Sequence, residues 1–71
     1  MVMALAAHAG FKIRSIPDGT LYRARVERND GAPFQVGGKT AQSWETPQYM
    51  DGSTAVGQAI YAIDCGRIKL S

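Results

Sequence analysis

Two stretches near the start of the chain, Phe11–Ile16 and Leu21–Arg28, alternate apolar and polar residues with the period of two that a half-buried strand requires. Pro17-Asp18-Gly19-Thr20 between them carries the residue types of a tight turn, so the pair predicts a β-hairpin. Centred on Asp18 and Gly19, the turn sets Arg14 opposite Arg23 and Lys12 opposite Arg25. Phe11, Ile13, Tyr22, Ala24 and Val26 then share one face. A slip of one residue would pair Arg14 with Tyr22 and Lys12 with Ala24 and destroy that apolar face. Four cations therefore fall together on the other face, with Ile16 and Leu21 at its turn end.

The pattern continues beyond the hairpin. Asn29-Asp30-Gly31 fits a three-residue loop, after which Phe34 would stand opposite Val26 and Val36 opposite Ala24, both on the apolar side. Pro33 has no N–H to donate and predicts that this third strand starts at a sheet edge. Residues 37–52 read as an irregular loop, broken by Gly37-Gly38, Thr46-Pro47 and Asp51-Gly52. The next segment is helical. Val56, Ala59, Ile60 and Ile63 fall on one stripe, Asp51 or Ser53 can cap its start, and Gly66 suits its end. Arg67–Leu70 alternates as a short last strand. The helical stripe must be buried, and the hairpin face is the surface large enough to receive it. The expectation is a small two-layer α+β domain, an antiparallel β-meander packed on one helix in the order β-β-β-α-β.

Length and charge narrow the reading. The chain has 71 residues, enough for a single domain spanning 1–71 that buries only about 60% of its unfolded surface. A core this small is compatible with stabilisation as a homodimer. The net charge is +2, yet residues 1–28 hold five cations against two anions while the rest hold three against four. The basic character is local. Residues 1–9 lack a charged n-region and are too short to span a bilayer, so they read as a leading strand or a frayed start, with Met3 a second initiation point and no membrane association implied. One cysteine excludes an internal disulfide and points to a reducing, cytoplasmic setting.

Reactive chemistry is hard to assemble from these residues. Gly38-Lys39-Thr40 matches the end of a phosphate-binding loop, but Pro33 occupies the position of its first glycine and no helix follows. Cys65 lies near a helix C-terminus, where the dipole disfavours a thiolate, and His8 stands alone. With one Cys and one His, no protein-only metal site is expected, and no cofactor motif is present. The acidic residues sit in turns and at helix ends. The pattern does not read as an enzyme.

Tyr22-Arg23-Ala24-Arg25-Val26, the turn at Asn29–Gly31, and Phe34 to Lys39 followed by a helix resemble half of a double-stranded-RNA-binding domain. That family begins with a helix and carries a Lys-rich start on its second helix. Neither feature is found here, so the chain is not assigned to it. What remains is a non-catalytic binding protein. The expected contact residues are Lys12, Arg14, Arg23, Arg25, Ile16 and Leu21 on the hairpin and Trp44, Tyr49 and Met50 in the loop. Trp44 reads first as a lid over the core and, where exposed, as a hot spot. Ile16 and Leu21 tilt the expectation toward a protein partner with an acidic surface, such as the target of an inhibitor that blocks a larger nucleic-acid-handling machine. Direct binding of nucleic acid by the same cations is the alternative.

Overall fold

A computed structural model describes residues 5–70. Met3 and the rest of 1–4 lie outside the described residues. Seven strands and one helix follow in the order β1 (Leu5–His8), β2 (Phe11–Asp18), β3 (Leu21–Arg28), β4 (Phe34–Val36), β5 (Lys39–Ala41), β6 (Trp44–Glu45), α1 (Gly52–Asp64) and β7 (Ile68–Lys69). They build a small α+β fold with two antiparallel sheets, one ordered β1-β2-β3-β6 and the other β5-β4-β7. The helix lies on β2, β3 and β7.

The alternation in the sequence is the alternation of burial. Along β2, Phe11, Ile13 and Ser15 are buried while Lys12 and Arg14 are exposed, and on β3 Ala24 and Val26 are buried. These residues meet Ala55, Val56, Ala59, Ala62 and Ile63 of α1, with Phe34 and Ile68 arriving from the second sheet. Phe11 and Phe34 stack edge to face, ring centres 5.2 Å apart, and this pair joins the two sheets. Asp51 caps α1 by accepting a hydrogen bond from the Thr54 N–H at 2.7 Å. At the other end the Gly66 N–H donates to Ile63 and the Arg67 N–H to Ala62, the paired bonds of a Schellman stop.

Three details depart from the sequence-based expectation. The hairpin register is shifted by two residues, so Arg14 faces Arg25, Lys12 faces Glu27 and Ile16 faces Arg23, in place of the Arg14–Arg23 and Lys12–Arg25 pairs. The connection is the two residues Gly19-Thr20, with Gly19 at φ +67°, the first-position glycine that a tight hairpin turn favours. Pro17 stays in the strand because its partner Tyr22 exchanges backbone hydrogen bonds with Tyr49 and asks none of Pro17. A shift of two keeps every side chain on its expected face.

The strand after the Asn29–Gly31 turn does not pair with β3. Phe34 and Val36 join β5 and β7, and the places opposite Val26 and Arg25 go to Trp44 and Glu45. The Arg28 guanidinium, at the end of β3, donates to the carbonyls of Pro33 and Leu70 and so ties the start of β4 and the end of β7 to the first sheet. The likeness to a double-stranded-RNA-binding half-domain ends with that pairing. Residues 37–52, expected as an irregular loop, contain β5, β6 and the Tyr22–Tyr49 bridge. Gly37 and Gly38, both at positive φ, make a two-residue turn that folds β5 back on β4.

Candidate partner-binding surfaces

Because α1 covers one side of the larger sheet, the other side is open to a partner. Lys12, Arg14, Ile16, Asp18, Leu21, Arg23, Arg25 and Glu27 share that outer face by strand parity, and Glu45 joins it opposite Arg25. The four expected cations are together there. They are not alone. Arg23 Nε lies 2.7 Å from Asp18, Lys12 Nζ lies 4.0 Å from Glu27, and Arg25 is held between Glu27 at 3.7 Å and Glu45 at 3.9 Å. Only Arg14 of the four has no carboxylate within 4.0 Å among the described residues.

Asp18 organises the turn end of this face. It accepts hydrogen bonds from Arg23 Nε and from the Gln48 side-chain amide, each at 2.7 Å. Those donors, Arg23 first and Gln48 second, hold its carboxyl below the usual carboxylate range. Arg23 also reaches the Thr46 carbonyl at 3.4 Å, so the segment after β6 is tied to the hairpin from the solvent side. Ile16 and Leu21 lie half-buried beside this network. Asp18, Glu27, Glu45 and Gln48 were absent from the sequence-derived set. The parity of Asp18 with Lys12 and of Glu27 with Arg25 would have found two of them, while Glu45 and Gln48 needed the unforeseen docking of β6.

The aromatic members are placed elsewhere. Trp44 stands opposite Val26 and Tyr49 opposite Tyr22, which puts both on the helix side of the sheet, away from the cations. Each is half-buried and packs against the core. Met50 is 85% exposed. Trp44, Pro47 and Tyr49 from the sheet side and Gln58, Tyr61 and Ala62 from α1 border a pocket of ≈180 Å³, which Cys65 and Arg67 also line. The expected contact residues thus form two surfaces on opposite sides of one sheet.

Among the described residues no cluster of His, Cys, Asp and Glu could hold a metal ion, and no helix is long and apolar enough to cross a membrane. His8 Nε2 lies 2.6 Å from Asp64, an exposed contact that ties β1 to the end of α1. No family model, curated protein or solved structure matches the chain.

Proposed function

We propose that the chain is a small non-catalytic binding protein that engages a protein partner through the outer face of its larger sheet. The observation that supports this reading is the pairing of Lys12, Arg23 and Arg25 with carboxylates of the same face. A phosphate backbone would have to displace Asp18 from its hydrogen bond to Arg23, and at Lys12 and Arg25 it would be repelled by Glu27 and Glu45, 3.7–4.0 Å from those cations. A protein surface can match a mosaic of both signs and cover Ile16 and Leu21 at the turn end. Arg14, unpaired among the described residues and facing Arg25, is the cation with most to gain from an acidic partner.

Affinity capture from the native host, with and without nuclease, tests the proposal when run beside the exposed-face variants Arg14→Glu and Ile16→Asp. The expected result is one protein retained after nuclease treatment and lost with either variant. Loss of all captured material on nuclease treatment would favour the alternative, direct binding of nucleic acid by the same face.

A further inference from the structure

The pocket on the helix side has its own chemistry. Trp44, Tyr49 and Tyr61 supply three aromatic surfaces, Gln58 an amide and Arg67 a cation, and no carboxylate lines it. Tyr61 is 67% exposed, so an apolar ring stands in solvent at the rim. At ≈180 Å³ the space is smaller than the roughly 300–1,000 Å³ of small-molecule sites and matches a single inserted side chain.

We propose that this pocket is a docking site for an extended acidic peptide segment of a partner protein, which seats one aromatic ring among Trp44, Tyr49 and Tyr61 beside Arg67. Ring-on-ring contact is the favourable geometry for three aromatic walls. The charge of the occupant follows from Arg67. Its backbone is fixed, the N–H donating to Ala62 at 3.1 Å and the carbonyl accepting from Gly37 at 2.9 Å, while its exposed side chain has no carboxylate within 4.0 Å among the described residues. Lys39 and Lys69 on the adjoining small sheet are also unpaired there, and residues 31–44 contain no acid to offset them. The surroundings favour an anionic visitor.

The extended form follows from β6, the edge strand of its sheet. The Thr46 N–H bonds to Ala24, so by strand alternation the amide and carbonyl of Glu45 point away from β3. An extended peptide can pair with that edge while its side chain enters the adjacent pocket, the usual division between main-chain affinity and side-chain specificity. A nucleic acid cannot extend the sheet as a strand along that edge. The site lies on the opposite side of the sheet from Arg14 and Ile16, so it stands or falls apart from the outer-face proposal.

Trp44 is the sole tryptophan, and Cys65, the sole cysteine, lines the same pocket, so each reports on occupancy. The peptides acetyl-Glu-Asp-Phe-Asp-Glu-amide, its Phe-to-Ala analogue and acetyl-Lys-Lys-Phe-Lys-Lys-amide are titrated against the full chain, following Trp44 emission and the rate of Cys65 alkylation by N-ethylmaleimide. The acidic Phe peptide should give a saturable Trp44 change and protect Cys65, with the Ala and Lys peptides at least about tenfold weaker. Arg67→Glu should weaken the acidic peptide by about tenfold, and Arg14→Glu should leave it unchanged. The proposal is overturned if the acidic Phe peptide gives no saturable change, if Arg67→Glu binds it as well as the parent chain, or if single-stranded oligothymidylate binds the pocket more tightly. Arg67 is exposed and its hydrogen bonds are made by its backbone, so an unchanged circular dichroism spectrum is expected for the variant.

Discussion

The Thr46 hydroxyl accepts a hydrogen bond from the Ala24 amide at 2.9 Å and donates its own proton to the Pro47 carbonyl at 2.8 Å. With the Thr46 N–H bonded to the Ala24 carbonyl at 2.9 Å, a side chain takes the place of a backbone acceptor and docks the edge strand on β3. Thr46 is fully buried. Everything that depends on the position of β6, including Trp44, Glu45 and the pocket, rests on this junction.

Thr46→Val keeps the shape and removes the hydroxyl, which strands a buried N–H. The expected cost is about 1–3 kcal/mol in chemical denaturation, with Thr46→Ser losing much less. Equal stability of Thr46→Val and the parent chain would show that the hydroxyl does not hold the strand.

The two glycines of α1 should respond in opposite directions. A Cβ on Gly57 would meet nothing within 4 Å, so Gly57→Ala should stabilise the fold by about 0.5–1 kcal/mol. A Cβ on Gly52 would lie 2.9 Å from the Ser15 Cβ, and Gly52→Ala should be destabilising, with partial recovery in Gly52→Ala/Ser15→Gly. Thermal denaturation of the three variants checks both signs.

The faces of the sheet were legible in the sequence because Phe11, Ile13, Ala24 and Val26 repeat with period two, and any register that kept them together put Lys12, Arg14, Arg23 and Arg25 on the other side. The register itself was not. Asp18-Gly19 and Gly19-Thr20 are both good turn pairs, and the second is the one that leaves Tyr22 free to pair with Tyr49, 27 positions later in the chain. The helix and its Gly66 stop are local signals, and of the two cap candidates, Asp51 and Ser53, it is Asp51 that caps α1. The second sheet was half legible. Gly37-Gly38 between Phe34–Val36 and Lys39–Ala41 is a hairpin signal, but nothing local shows that Phe34 turns to meet Phe11 or that a threonine hydroxyl will pair β6 with β3. Part of the charge balance of the outer face is also legible in the sequence, because parity places Asp18 and Glu27 beside the cations.

Acid should weaken the fold through three carboxylates. Asp18, Asp30 and Asp51 all have lowered pKa values, from the Arg23 and Gln48 donors, the Ala32 N–H with Arg28, and the Thr54 N–H respectively. A lowered folded-state pKa means stability that is present above the unfolded carboxyl value, about 3.9, and is lost as pH falls through the folded value. Melting temperature should therefore be flat near neutrality and drop below about pH 4. Asp18→Asn should shrink that drop, since a neutral amide at the position no longer titrates. An unchanged acid limb in Asp18→Asn would remove Asp18 from the account.

The most direct test of the central claim, that the outer face is charge-compensated and built for a protein, is a titration of the free chain with generic duplex DNA between 50 and 200 mM salt. Four available cations would give a slope near −0.9 per phosphate contact and weaken binding roughly a hundredfold over that range. With Lys12, Arg23 and Arg25 already paired, the predicted result is feeble binding with a slope no steeper than about −1, the share of Arg14 alone. Tight binding with a slope near −3.6, abolished by reversing Arg14 and Arg23, would contradict it.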